Sequence, residues 1–192
     1  PQHIMQNHFV SENCTAIAIG MGLGIFENDE IKKILQKDIP LIIDADLFYS
    51  KLILEVLEKE IVLTPHPKEF CSLLKLCDIA DISIDELQNN RILYVEKFCK
   101  KYRKSVLLLK GANVIIAQDD RFFINSFGTQ ALSKGGSGDV LSGLIGSLLA
   151  QKYEPLEATI TASLAHTFSA RLYDKNNYSL TPQDIIDGIK KL

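Results

Sequence analysis

The residues best suited to chemistry lie between Gly135 and Gln151, GGSGDVLSGLIGSLLAQ. Gly135-Gly136-Ser137-Gly138 opens directly into an apolar, helix-like segment carrying Val140, Leu141, Leu144, Ile145, Leu148 and Leu149. Asp139 stands at the junction. Unpaired backbone N–H groups and the positive end of a helix dipole meet at such a point, which suits an anion such as phosphate. Asp139 would then stand where a general base for an attacking hydroxyl belongs. The same residues also describe a glycine-rich turn with Asp139 as an ordinary helix N-cap.

Other polar groups follow short apolar runs. Gly20, Gly22 and Gly24 in GMGLG suit a close backbone approach to a ligand or a tight turn. Asp44 and Asp46 could hold Mg²⁺ or ribose hydroxyls, with helix capping as the rival. In TPHPKEF, Pro65 and Pro67 stiffen the chain around His66, a candidate ligand donor, while Lys68 and Glu69 also suit a first helical turn. Lys110 at a strand end could neutralise a nucleotide phosphate. Asn125 and Ser126 could brace the glycine-rich loop or make a turn. His166, in ALAHTF, reads as a satisfied core histidine.

The elements that must position these groups alternate. Buried strands are expected over Thr15–Ile19, Pro40–Ile43, Ile61–Leu63 and Val106–Leu109, and a hairpin over Val114–Ala117 and Phe122–Ile124. Helices are expected over Asn28–Lys37, Ser50–Lys59 and Glu69–Leu76, then after a Ser83 cap with Ile92, Leu93, Val95, Phe98 and Tyr102 inward. Pro155–Tyr173 and a helix capped by Thr181-Pro182 complete the chain, whereas Pro1–Ser11 reads as neither strand nor helix. Alternation predicts an α/β fold, a mostly parallel sheet with helices on both faces. Ligands bind outside the carboxyl ends of such strands, where GMGLG, DAD, TPHPKE and KG all fall.

Composition sets bounds. The 192 residues carry a net charge of −3, which gives no general electrostatic case for nucleic acid or an anionic membrane as partner. No apolar run is long enough to span a bilayer. The four cysteines, Cys14, Cys71, Cys77 and Cys99, show no metal-ligand spacing and read as small apolar residues of a reducing, cytoplasmic compartment.

The succession GMGLG, DADLF, LTPHPKEF, LLKGANVII and GGSGDVLSGLIGSLLAQ resembles the nucleotide-dependent NAD(P)H-hydrate dehydratases of the ribokinase-like superfamily, from about Ile4 to the C-terminus. The phosphate-loop signature is shared with sugar and vitamin kinases of that superfamily; the TPHP-x-E block with DAD and KGA is more specific to the dehydratases. The resemblance implies a repair lyase. It would use ADP, or ATP, with Mg²⁺ bridging the phosphates, to convert (6S)-NADHX or NADPHX to NADH or NADPH, releasing AMP and phosphate from ADP. By the same resemblance Asp139 contacts the hydrate hydroxyl as base. Gly22, Gly24, His66, Pro67, Lys68 and Glu69 bind the hydrate. Lys110, Gly111, Ala112, Asn113 and Val114, with Thr129 and Lys134, Gly135, Gly136, Ser137 and Gly138, bind the nucleotide. Family members often form homo-oligomers and work with an NAD(P)HX epimerase, fused upstream in many bacteria. The alternatives are a small-molecule kinase using the same Asp139 and an inactive nucleotide-binding remnant.

Two departures from the family pattern are visible. Gly128-Thr129-Gln130-Ala131 stands where the family usually has Gly-Asn-Pro-Gly. The family's usual opening strand–helix–strand portion, with its Gly-Ser and Gly-Ala motifs, has no counterpart. Residues 1–192 are therefore expected to form one dehydratase domain lacking that portion.

Overall fold

The computed structural model describes residues 10–24 and 28–192. Most of the Pro1–Ser11 segment lies outside the described residues.

Six strands form one sheet in sequential order: β1 (Ile17–Ile19), β2 (Leu41–Ile43), β3 (Val62–Leu63), β4 (Val106–Leu109), β5 (Val114–Gln118) and β6 (Arg121–Asn125). The first four are parallel, in registers that set Ile17 beside Leu41, Ile42 beside Val62, and Val62 beside Val106. β5 and β6 continue antiparallel, with Leu108 beside Ile116 and Ile115 beside Ile124.

Burial on both faces explains why the strands read as continuous apolar runs. Ile43, Leu63, Leu107 and Leu109 point to one face. There they meet helices α1 (Asn28–Leu35), α2 (Pro67–Leu76), α3 (Ile84–Asn89) and α4 (Arg91–Lys101) through Leu35, Phe70, Leu73, Leu87, Val95 and Phe98. Ile42, Val62, Val106 and Leu108 point to the other face, against α5 (Ser137–Ala150) and α6 (Pro155–Arg171) through Leu141, Ile145, Leu149, Ala158 and Ala162. The last helix, α7 (Pro182–Ile189), packs on α5 and α6 with Leu180 and Ile185 against Ala131 and Ala170. No helix among the described residues is long and apolar enough to cross a membrane. Four free thiols are present, and burial pushes that of Cys99 up to about 12.

Two local expectations fail for identifiable reasons. The segment expected to be one helix over Ser50–Lys59 forms only a 3₁₀ turn at Lys51–Glu55, which follows another at Ala45–Tyr49. Ser50 ends the first turn and caps the second by accepting from Leu52 N–H, which breaks any longer helix between them. In α4, Ile92 and Leu93 are exposed and Tyr94 is buried instead. The inward face runs Tyr94, Val95, Phe98, Cys99, Tyr102, and its phase is fixed by a helix start at Arg91.

Candidate active site

The parallel strands bring their following loops to one edge, where backbone bonds knit them together. Asp46 N–H donates to Gly20 O, Thr64 N–H to Ile43 O, and Lys110 N–H to Pro65 O. A β-carbon on Gly20 would overlap the Asp44 carbonyl, so the first glycine of GMGLG serves this close approach. Gly22 and Gly24 sit exposed on the same loop, and Gly24 N–H donates to Asp46 Oδ2 at 3.0 Å.

The N-terminus of α5 arrives at that edge uncapped. Gly136 is its N-cap in a left-handed conformation, φ 83°, and supplies no side chain to the first turn. A β-carbon there would also lie 2.8 Å from Pro182 Cγ. Glycine is thus required on two counts. The N–H groups of Gly138 and Asp139 meet no acceptor among the described residues, so the dipole end carries open donors. Asp139 stands third in the first turn, exposed, with no hydrogen bond or ion pair among the described residues. The N-cap role belongs to Gly136, which removes the ordinary explanation for a carboxylate at this place.

Beneath this turn lies an ion pair. Lys110 Nζ donates to Asp44 Oδ1 at 2.7 Å, Ser142 Oγ donates to Asp44 Oδ2 at 2.9 Å, and Ala45 N–H donates to Asp44 Oδ1 at 2.9 Å. Asp44 is 2% exposed. Its burial is made tolerable by three donors, one of them charged. The ammonium is held so close to α5 that a β-carbon on Gly138 would stand 3.3 Å from it. The arrangement fixes one cation under the open helix end.

Across the cavity α2 begins differently. His66 is its N-cap, with Nδ1 accepting from Lys68 N–H and Glu69 N–H at 3.2 and 3.4 Å. Glu69 reaches back to His66 N–H with Oε2 at 2.8 Å, and its Oε1 lies 2.8 Å from His66 Nε2. Because Nδ1 accepts, the ring proton is on Nε2. Burial, with Lys110 adding to it, holds the imidazole below its ordinary value, while burial raises the Glu69 carboxyl. The His66–Glu69 contact is therefore a neutral N–H donating to a carboxyl oxygen rather than a full ion pair.

His166 is buried in α6 as expected, and its contact is with the glycine-rich loop. Its Nε2 lies 3.0 Å from Ser137 O and 3.1 Å from Ser137 Oγ. Donation to the carbonyl assigns the Nε2–H tautomer, and burial lowers the ring to about 4. Asn125 ties β6 to α6, donating from Nδ2 to Ser163 O, Ser163 Oγ and Thr167 Oγ1 at 3.1, 2.9 and 3.0 Å. Its Oδ1 also accepts from Phe127 N–H, which bears out the turn role, while the brace it supplies is to α6 and not to the glycine-rich loop.

Part of this edge encloses a cavity of about 470 Å³, whose lining takes in Ser137 and Gly138 but not Asp139, Gly135, Gly136, Gly22 or Gly24. The cavity is lined by His66 and Pro67, by Lys110, Gly111, Ala112 and Val114, by Thr129 and Gln130, and by Ser137, Gly138 and His166. A larger depression of about 600 Å³ at the opposite sheet edge is lined by charges of both signs, among them Glu58, Lys59, Arg103 and Asp119. None of the motifs reaches it, and it reads as solvated surface.

With this geometry in place, comparison with known proteins is decisive. Residues 2–191 match the family model described as NAD(P)H-hydrate dehydratase. The chain belongs to the NAD(P)H-hydrate dehydratase family. It is 54% identical over 178 residues to the bifunctional NAD(P)H-hydrate repair enzyme of Helicobacter pylori, covering 93% of this chain and 37% of that protein. It is 33% identical over 188 residues to the ADP-dependent (S)-NAD(P)H-hydrate dehydratase of Bacillus subtilis, covering 95% of this chain and 65% of that one. A crystal structure of the ADP/ATP-dependent NAD(P)H-hydrate dehydratase from Bacillus subtilis, co-crystallized with ATP/Mg²⁺, superposes with a TM-score of 0.79 at 29% identity, covering 95% of this chain and 65% of that one. A Thermotoga maritima ribokinase at 17% identity and TM-score 0.53 shares the fold alone, over 84% of this chain and 53% of that one. The fold is ribokinase-like. The chain thus spans roughly a third to two thirds of these dehydratase relatives.

Within the family's motifs, not every expected residue faces the cavity. Lys134 sends its amine to Leu180 O at 3.1 Å, anchoring the glycine-rich loop to the segment before α7. Asn113 turns its carbonyl to Arg91, at 2.8 Å from Nη1. Lys68 is exposed, and Glu69 lies buried behind His66. Both carboxylates suggested for Mg²⁺ are engaged, Asp44 by Lys110, Ser142 and Ala45 N–H, and Asp46 by Gly24 N–H. No group of three ligating side chains occurs among the described residues. Ser142 and Arg91 emerge only in three dimensions. Ser142, three residues after Asp139, carries a weak helical-spacing signal toward the sheet, and Arg91 carries none.

Proposed function

We propose that this chain carries the nucleotide-dependent dehydration of hydrated NADH or NADPH. The supporting observation is the open N-terminus of α5, with unpaired N–H groups, an unpartnered Asp139 and the Asp44-held Lys110 ammonium beneath it. Water is a poor leaving group, so the reaction requires the ring hydroxyl to be activated. The hydrate C6 hydroxyl loses its proton to Asp139 and attacks the terminal phosphorus of the nucleotide. The bond to the leaving nucleotide oxygen breaks, giving AMP from ADP. Phosphate then departs with the C–O bond electrons, a proton leaves the neighbouring ring carbon, and the double bond is restored. The net change is hydrate plus ADP to reduced nicotinamide, AMP and phosphate.

The Gly138 and Asp139 N–H groups are placed to meet charge on the transferring phosphoryl group without reorganisation. A base such as Asp139 contributes about 10²–10⁴-fold. Gly135, Gly136 and Ser137 hold that turn, Lys110, Gly111, Ala112 and Val114 with Thr129 face the nucleotide, and His66, Pro67, Gly22 and Gly24 face the hydrate. Among the described residues no side chains compose a resident Mg²⁺ site, so Mg²⁺ is assigned to the nucleotide substrate as its phosphate complex. The Bacillus structure's ATP/Mg²⁺ supports that reading. The Helicobacter relative's bifunctional name supports an epimerase as working partner.

The test is to offer the chain hydrated NADH with ADP, and separately ATP, and follow recovery of reduced-nicotinamide absorbance. Recovery with ADP is expected. No recovery with either nucleotide, from protein including any upstream sequence, sinks the proposal.

A further inference from the structure

Arg91 is the first residue of α4 and is used by no motif. Its guanidinium donates from Nη1 to Asn113 O at 2.8 Å, and from Nη2 to Leu109 O at 3.3 Å and Lys110 O at 3.2 Å. No carboxylate pairs with it among the described residues, and its Nε is buried without a partner. Burial alone holds the guanidinium below its ordinary value, and it remains charged. A half-buried cation satisfied only by three carbonyls of one loop is an unusual expenditure of charge for mere packing.

The carbonyls explain what it does. Peptide groups are planar, and none here is cis, so each C=O turned toward Arg91 sends the next residue's N–H the opposite way. The Leu109 carbonyl faces Arg91 while Lys110 N–H faces Pro65 O at 2.9 Å. The Lys110 carbonyl faces Arg91 while Gly111 N–H points away from it and meets no acceptor among the described residues. Gly111 and Ala112 line the cavity, and Arg91 does not. Gly111 has φ 150°, and a β-carbon on it would stand 2.9 Å from Arg91 Nη2. The guanidinium thus lies against the back of the loop, where a side chain at Gly111 would displace it and would be strained by the backbone conformation.

The geometry points to Arg91 as a positioning residue for the nucleotide. It gathers the loop's carbonyls behind, presents Gly111 N–H to the cavity, and adds a positive charge that no carboxylate among the described residues pairs with. The ligand class is a nucleoside di- or triphosphate, and this inference rests on the dehydratase reading above.

The test compares Arg91→Lys, Arg91→Ala and Gly111→Ala with the parent chain, measuring ADP binding directly, then KM for each substrate, kcat and the thermal transition. Lysine keeps the charge and loses the three-carbonyl fork; Gly111→Ala displaces the guanidinium without deleting it. Each is expected to raise the ADP Kd by about tenfold or more. For the two Arg91 variants the KM for hydrate and kcat at saturating nucleotide should stay near parent values. Ethylguanidinium added to Arg91→Ala should restore part of the ADP affinity. A folded Arg91→Lys or Gly111→Ala chain that binds ADP as the parent does overturns the inference alone. An equal rise in both KM values, or no rescue, also overturns it, because a general structural role would behave so. A parent chain that binds neither ADP nor ATP overturns both this inference and the dehydratase reading.

Discussion

Two helices begin at the same sheet edge, one on each face, and both contribute to the cavity wall, yet their first turns are built on opposite principles. At α2 the cap is closed, since His66 satisfies two first-turn N–H groups and Glu69 satisfies the His66 N–H. At α5 the cap is Gly136, which offers no side chain, and the donors of Gly138 and Asp139 remain open. A helix end closed by its own side chains is a wall; one left open toward a cavity is a place for an anion. Thr181 and Asp184 form a second closed box at α7, whose Pro182 packs against Gly136. The open end is therefore a local exception held in place by closed ones.

The largest effect should come from the one acidic side chain at the open end. Asp139→Asn is expected to lower kcat by about 10²–10⁴-fold while ADP affinity, measured by titration, changes little. Turnover at the parent rate would remove Asp139 from the role of base. Next comes the backbone of the exception itself. Gly136→Ala forces a side chain into a left-handed conformation at about 1–2 kcal/mol and also drives it into Pro182. A lower denaturation midpoint and weaker ADP binding should appear together, because the same turn carries both.

The comparison was only half readable in the chain. The parallel strands, the hairpin and the approach of GMGLG, DAD, TPHPKE and KG to one edge follow from apolar runs and their polar ends, which are local signals. The turn at Gly135–Asp139 was visible as a candidate anion site, but whether Asp139 caps it is decided only by the fold, which gives the cap position to Gly136. The closed box at α2 was not visible. Histidine is an uncommon N-cap, so His66 read as a ligand donor and its engagement with Glu69 appeared only with the fold. Asp44 likewise read as a metal ligand or a cap. It caps Ala45, as weighed, but its partners Lys110 and Ser142 come from 66 and 98 residues away. Contacts across such separations are set by topology, which no residue pattern encodes. Ile92 and Leu93 failed for a smaller reason: the i, i+3, i+4 stripe through Tyr94, Val95, Phe98, Cys99 and Tyr102 is the face that packs inward, and it leaves both outside.

A pH experiment probes the support behind the open end. His166, at about 4 in the fold against about 6.5 when unfolded, is neutral where the unfolded chain would already bind a proton. Its contribution to stability is full above the unfolded value and is lost as pH falls from about 6.5 toward 4, by roughly 3 kcal/mol. His66, also lowered, adds in the same direction. His166→Gln keeps an N–H for Ser137 O but cannot titrate, so the fall in thermal midpoint across that window should become shallower without vanishing. An unchanged slope would mean that His166 is not held neutral by the fold.

The smallest effect tests whether the closed end is a wall for one substrate or for both. Glu69→Gln preserves size but replaces one acceptor oxygen by an NH₂, which then faces either the His66 backbone N–H or its ring Nε2–H. One donor must lose its partner, and the cap weakens by about 0.5–2 kcal/mol. His66 borders the cavity opposite Ser137 and Gly138, so a loosened ring should raise the KM for hydrate a few fold and leave ADP binding unchanged. That split is what distinct helix ends require. If ADP affinity drops as much as the affinity for hydrate, the two ends act as one support, and the contrast between open and closed first turns does not divide the cavity between its two substrates.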